Sequence, residues 1–243
     1  MKGLLNMNIS LLVMDLDGTF VYGEDQRAII SFCHQHQIRY GFITSRSYND
    51  CLFPVNILKH YTPAFLAAAA GTELYLPAVK GRYYYDQLHA ASLAAGWPDH
   101  AVILNRLECV PGCELMGSVD HFRVSCYVSD TECIQQVNDC LRGYQVCIKV
   151  DNGCQLEILP VNGNKENCIQ YLLACFGCSP DSVIICGDRL DDLSVFQYSL
   201  YGIVVANCYI EFRHQLESNQ AVFFTPSPGS RGVLEGLKHY IPV

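Results

Sequence analysis

The sequence predicts an α/β protein, a doubly wound parallel sheet of the Rossmann-like kind carrying an inserted α+β domain. Three short, unbroken aliphatic runs carry this expectation: Ile9-Ser10-Leu11-Leu12-Val13-Met14, Tyr40-Gly41-Phe42-Ile43 and Ser182-Val183-Ile184-Ile185-Cys186. Runs of this length without alternation read as strands buried on both faces, as in a parallel sheet covered by helices. Each run ends in a polar cluster, at the carboxyl end where open α/β sheets bind their ligands. The long stretch between the second and third runs then reads as an insertion, with the core at residues 1–78 and 160–243 and the insert at 79–159.

The first run ends in Asp15-Leu16-Asp17-Gly18-Thr19. Two carboxylates emerging together at a strand end can divide one reaction between them. The first attacks a phosphoryl group, and the second hands a proton to the leaving oxygen or takes one from water. Gly18 lets the chain turn away sharply, and Thr19 offers a hydroxyl to orient the first acid. Taken alone, the same five residues also fit an ordinary turn or the opening of a calcium loop. The second run ends in Thr44-Ser45-Arg46-Ser47, hydroxyls and backbone N–H groups at a helix start where they can grip phosphate oxygens.

Further on, Asn164-Lys165-Glu166 opens the helical segment around Cys168 to Leu173. Lys165 there can neutralise a nucleophile and phosphoryl oxygens, or can be a solvated surface lysine. The third run ends in Gly187-Asp188-Arg189-Leu190-Asp191-Asp192, three acids that are costly together unless a cation neutralises them. Hard oxygen ligands suit Mg²⁺. The plainer reading of Asp191 and Asp192, a helix N-terminus favouring negative charge, is compatible with that role.

In this order, Asp15 to Thr19, Thr44 with Arg46, Lys165, and Gly187-Asp188 through Asp192 resemble the four motifs of the haloacid dehalogenase superfamily of phosphatases. Several stretches resemble its sucrose-phosphate phosphatase branch more narrowly: Ile43 to Tyr48, Gly71-Thr72-Glu73-Leu74-Tyr75, Glu157 to Pro160, and Ser227 to Glu235. The resemblance implies a Mg²⁺-dependent phosphomonoesterase acting on a phosphorylated sugar, with sucrose 6-phosphate as leading candidate. It implies that Asp15 forms an aspartyl-phosphate, that Asp17 is the general acid and base, and that Thr44, Ser45 and Lys165 hold the phosphoryl oxygens. Asp15, the Asp17 backbone carbonyl, Asp188 and Asp192 then make up the metal site, Asp192 through metal-coordinated water or by orienting Lys165. Glu73 and Arg123 stand where similar sucrose phosphatases contact the sugar, and the insert becomes a cap over the site.

The chain departs from the family pattern at three places. Ser45 replaces a glycine and brings a Cβ close to the phosphate path. Asp191 stands where asparagine is usual and adds negative charge beside the metal. Glu166 replaces the glycine that often follows the lysine. None of these removes a catalytic group. A phosphomutase would share every motif, and a receiver-like regulatory module uses a similar Asp, Thr and Lys but needs only about half this length.

Composition agrees with a compact, cytoplasmic enzyme: 243 residues, half of them hydrophobic and 16% charged. A net charge of −8 argues against nucleic acid or an anionic membrane as partner. The Met1-Lys2 opening suggests a secretory signal only superficially, because Asp15 and Asp17 interrupt the apolar run. The 14 cysteines lack the paired spacing of a zinc site and read as small buried hydrophobes. Oligomeric state is not readable from the sequence.

Within the insert the sequence predicts strands at Arg82 to Tyr85, Phe122 to Val128, Val146 to Val150 and Gln155 to Leu159, with helices at Leu88 to Ala95 and Glu132 to Leu141. Asn152-Gly153 reads as the hairpin turn joining the last two strands. Tyr83, Tyr84, Tyr85 and Trp97 read as core aromatics rather than sugar platforms, and His34, His36 and His60 as surface residues.

Overall fold

The computed structural model describes residues 8–56, 62–79, 82–117, 120–151 and 153–242. The strands, in chain order, are β1 (Leu11–Met14), β2 (Arg39–Ile43), β3 (Phe65–Ala68), β4 (Glu73–Pro77), β5 (Tyr83–Tyr85), β6 (Cys113–Leu115), β7 (Val124–Val128), β8 (Val146–Asp151), β9 (Gln155–Pro160), β10 (Val183–Gly187), β11 (Tyr201–Val204) and β12 (Val222–Phe224). The helices are α1 (Gln26–Gln35), α2 (Tyr48–Asn56), α3 (Gln87–Ala94), α4 (His100–Leu107), α5 (Thr131–Cys140), α6 (Lys165–Phe176), α7 (Leu193–Phe196), α8 (Ile210–Leu216) and α9 (Gly229–Tyr240).

The larger sheet runs β12-β11-β10-β1-β2-β3-β4-β5, parallel from β12 to β3 and antiparallel over β4 and β5. Strand β1 shows why the sheet is wound on both faces. Leu12 and Met14 pack with Ile29, Ile30, Val233 and Leu237 of α1 and α9, whereas Leu11 and Val13 pack with Ile169, Leu172 and Phe212 of α6 and α8. A residue period of two on a strand buried on both sides leaves no polar position, hence the unbroken apolar run. Strand order reverses between β1 and β10, so a crevice opens beyond their carboxyl ends. The register Met14↔Cys186 and Met14↔Phe42 brings Asp15, Thr44 and Asp188 to that edge together.

The smaller sheet, β6-β7-β9-β8, is antiparallel and buries one face against α4 and α5, through Ile103, Leu107, Val137, Cys126, Leu156 and Ile158. Its opposite face is polar, with Ser125, Glu157 and Lys149 directly across from one another on β7, β9 and β8. Local signals explain where the helices start. The side chains of Asp86, Asp99, Asp130 and Asn164 accept from backbone N–H groups of the first turns of α3, α4, α5 and α6, and Gly177 ends α6 in the left-handed conformation at φ 62°.

The expected doubly wound sheet and α+β insertion are present, with three differences in detail. Tyr83 to Tyr85, expected in the insert, forms the antiparallel edge strand of the larger sheet. Its pairing with Tyr75 to Pro77 satisfies backbone groups that β4 would otherwise leave open. Helix α4 and strand β6 have no counterpart in the sequence reading, because Pro98 and Pro111-Gly112 read only as punctuation, although Asp99 caps the helix between them. Tyr83 and Tyr85 pack against the larger core and Trp97 against the smaller one. Tyr84, read as core, is exposed, because alternate residues of the edge strand β5 face opposite ways. Asn152 of the hairpin turn, His60 and the Met1-Lys2 opening lie outside the described residues, while Gly153 takes the φ of 73° a tight turn needs. No helix among the described residues is long and apolar enough to cross a membrane.

Candidate active site

Asp15 is the first residue after β1, and its backbone N–H still donates to Cys186 O across the sheet. The chain then turns hard, with Asp17 extended and Gly18 at φ 73°. A Cβ at Gly18 would lie 2.2 Å from Asp188 Oδ2, so glycine is required by conformation and by contact alike. Asn207 secures the turn, its amide donating to Gly18 O at 2.8 Å and accepting from Gly229 N–H at 2.8 Å.

Lys165, on the first turn of α6, is 2% exposed and reaches three acids: Asp192 Oδ1 at 2.7 Å, Asp191 Oδ2 at 2.8 Å and Asp15 Oδ1 at 3.3 Å. The other Asp192 oxygen accepts from the backbone N–H groups of Asp188 and Arg189. Asp192 thus fixes both Lys165 and the Asp188 backbone. Asp15, Asp188 and Asp192 offer ligand oxygens within 4.8 Å of one another, all buried.

The electrostatics follow from burial. Desolvation holds the Asp15 carboxyl well above the usual range, with Lys165 opposing and the other acids adding to it. Burial and Asp192 lift Asp188 to about 7, and burial also raises Asp192. Burial works against the Lys165 charge, but Asp192, Asp15 and Asp191 outweigh it and hold the ammonium well above its ordinary value. Asp191 lies below the usual range, because Lys165 and the Ser45 hydroxyl at 3.2 Å overcome its desolvation. Four carboxyl groups around one ammonium are hard oxygen donors whose full ionisation calls for a further cation, a set that fits Mg²⁺.

Thr44 is 1% exposed, just past β2, and its Oγ1 accepts from Arg46 N–H at 3.2 Å. Arg46 clasps Asp17 in a two-pronged pair, Nε to Oδ2 at 2.8 Å and Nη2 to Oδ1 at 2.6 Å. The residues expected to form the core site are therefore brought together. Thr19 differs from its expected place: its hydroxyl donates to Asp188 Oδ1 at 3.0 Å, not to Asp15, because the left-handed turn at Gly18 carries it toward β10.

A cleft of ≈ 410 Å³ lies between the two sheets, with Asp17, Ser45 and Asp191 on one side and Ser125, Lys149 and Gln155 on the other. Glu73 and Arg123, expected at the sugar, both tie the insert to the larger sheet; Arg123 also lines the cleft, whereas Glu73 does not. Glu73 is 3% exposed, and its oxygens accept from His121 N–H and the Tyr75 hydroxyl, each at 2.8 Å. Arg123 binds Asp120 through Nε and Nη2, Glu157 through Nη1 at 2.9 Å, and the Ser45 carbonyl through Nη1. Four of the five guanidinium N–H groups are thus engaged. The Arg46–Asp17 clasp, the Asp120–Arg123–Glu157 network and Lys149 have no assigned role in the sequence reading. The one available signal is Glu157 inside the apolar strand Leu156 to Leu159, since a buried acid needs a partner.

The architecture is that of the haloacid dehalogenase-like hydrolases. Within that fold, the chain belongs to the sucrose-6F-phosphate phosphohydrolase family, matching it over residues 8–241. It is 22% identical to probable sucrose-phosphatase 3a of Arabidopsis thaliana, over 95% of this chain and 59% of the relative. Mannosylfructose-phosphate phosphatase of Agrobacterium fabrum is 23% identical over 96% of this chain and 97% of its own. The chain thus spans just over half of the plant relative and nearly all of the bacterial one. The sucrose-phosphatase of Synechocystis sp. PCC6803, solved with sucrose and phosphate, superimposes with a TM-score of 0.78 at 23% identity, covering 96% of this chain and 98% of that one.

Proposed function

We propose that this protein is a Mg²⁺-dependent phosphomonoesterase that hydrolyses a phosphorylated sugar through an aspartyl-phosphate, in the cytosol. The observation that carries the reading is the convergence of Asp15, Thr44, Lys165 and Asp188 at the reversal of strand order. Asp15 attacks phosphorus in line, and Lys165 and the Thr44 hydroxyl hold the phosphoryl oxygens, joined by the Ser45 N–H. Asp17 protonates the departing sugar oxygen and then deprotonates the hydrolytic water, which requires Arg46 to loosen its clasp. Asp15, the Asp17 carbonyl and Asp188 would hold Mg²⁺, with Asp192 bracing the set. When bound, the ion supplies charge neutralisation among the acids, without which they would repel an incoming phosphate.

The insert, as a cap, supplies substrate choice. With Glu73 engaged between the sheets, the polar face bearing Arg123, Ser125, Lys149 and Gln155 lines the cleft and is the surface that would read sugar hydroxyls. Sucrose 6-phosphate leads among single substrates, and the mannosylfructose-phosphate phosphatase relative keeps other glycosyl phosphates in view. A phosphate-release screen over sugar phosphates, with Mg²⁺ and with excess EDTA, tests the reading. Mg²⁺-dependent release from a disaccharide phosphate is expected, and undiminished release in EDTA would remove the metal from it.

A further inference from the structure

Three successive carbonyls of the loop after β2 are pinned. Thr44 O accepts from Ala70 N–H at 2.9 Å, Arg46 O from Ala69 N–H at 2.6 Å, and Ser45 O, between them, from Arg123 Nη1. The outer two anchors belong to the core, and Ala69 and Ala70 deliver them from left-handed backbone, at φ 49° and 59°, which alanine seldom adopts. Only the middle anchor comes from the insert. Its donor is aimed by Asp120 at 2.8 Å and 2.6 Å and by Glu157 at 2.9 Å, in a network where Arg123 is 6% exposed.

The peptide unit transmits that grip. Ser45 C=O and Arg46 N–H belong to one planar amide and point in opposite directions. Holding the carbonyl toward the insert sends the N–H back to Thr44 Oγ1, 3.2 Å away. Once that oxygen accepts there, the hydroxyl hydrogen of buried Thr44 remains to be donated.

Granting the phosphatase reading above, we infer that Arg123 is a positioning residue: from the insert it holds the Ser45–Arg46 peptide so that the Thr44 hydroxyl points its hydrogen at a phosphoryl oxygen. Seating of the insert and readiness of the phosphate grip are thereby one event. A lysine would not serve, because a point ammonium cannot hold Asp120, Glu157 and the Ser45 carbonyl in one fork.

The test measures inorganic phosphate binding by calorimetry in Mg²⁺ and hydrolysis of p-nitrophenyl phosphate. It compares the wild type with Arg123→Met, Arg123→Lys, Thr44→Val and the double variants. Arg123→Met is expected to weaken phosphate binding and lower kcat/KM on this sugar-free ester by about tenfold or more. The Arg46 amide should also exchange its hydrogen faster. In the Thr44→Val background the same change should add less than about twofold, because the two residues act in one chain. Arg123→Lys, which keeps the buried charge paired, should behave alike and serves if the methionine variant does not fold. Unchanged phosphate binding and ester hydrolysis, with losses confined to sugar phosphates, would overturn the assignment, as would full additivity with Thr44→Val. If no ester is hydrolysed by the wild type, the phosphatase reading falls, while calorimetry and amide exchange still decide on Arg123.

Discussion

Asp15 and Asp17 are two residues apart yet sit in different surroundings, which divides their work. Asp15 is buried against Lys165, whereas the Asp17 side chain is 36% exposed and clasped by Arg46. Asp15→Asn should abolish turnover with the fold intact, since the attacking oxygen is lost. Asp17→Asn should cost on the order of 10²–10⁴-fold in kcat, through lost proton transfer. Steady-state kinetics checks both, and wild-type rates in the Asp15 variant would end the mechanism. Lys165 balances three acids, so Lys165→Met should destabilise the metal-free protein by about 3–5 kcal/mol in urea unfolding. Mg²⁺ should recover part of that loss. The sequence places each of these groups at a strand or helix end, but the Arg46–Asp17 clasp joins residues 29 positions apart and appears only on folding.

At the scale of elements, the turn between β1 and α1 determines how β1 and β10 share a site. Gly18→Ala would place a methyl group 2.2 Å from Asp188 Oδ2 at an unfavourable φ. The expected result is a loss of about 10–100-fold in Mg²⁺ affinity by calorimetric titration, because the support of a ligand is displaced. Unchanged affinity would mean that Asp188 does not contact the ion. Elements with strong local signals are those the sequence reveals: β1, β2 and β10 as unbroken apolar runs, α6 from the Asn164 cap. Strand β5 is misplaced because Tyr83-Tyr84-Tyr85 carries no mark of which sheet it will join. That choice is made by pairing with β4, a contact between segments.

Across the whole molecule, the concentration of acids at one crevice links stability to pH and metal. Burial raises Asp188 from 3.8 to about 7, so the folded chain holds a proton that the unfolded chain releases. A raised carboxyl contributes most to stability below its unfolded value and loses that contribution as pH climbs through about 7. Asp15 and Asp192, also raised by burial, act in the same direction, and buried His89, lowered from 6.5, opposes them only near and below that value. Lys165, raised, and Asp191, lowered, do not titrate in that window. The metal-free protein should therefore melt at a lower temperature at pH 8 than at pH 6. Mg²⁺ should stabilise it more at pH 8, where the ligands are already ionised. Calorimetric melting at the two pH values, with and without Mg²⁺, checks this, and a pH-independent melt in EDTA would contradict it.

The amino-acid order by itself determined the class of sheet, the insertion and the core chemical groups. Apolar runs buried on both faces, and the acids, hydroxyls and lysine at their ends, are local features that one segment can express. Tertiary structure decided which groups those residues meet. Thr19 turns to Asp188 instead of Asp15, Asp191 joins Lys165, and Glu73 and Arg123 tie the two sheets together, Arg123 while lining the cleft. Each of these is a pairing between distant segments, and its geometry depends on strand register and on how the insert seats over the crevice, neither of which any single stretch of sequence encodes.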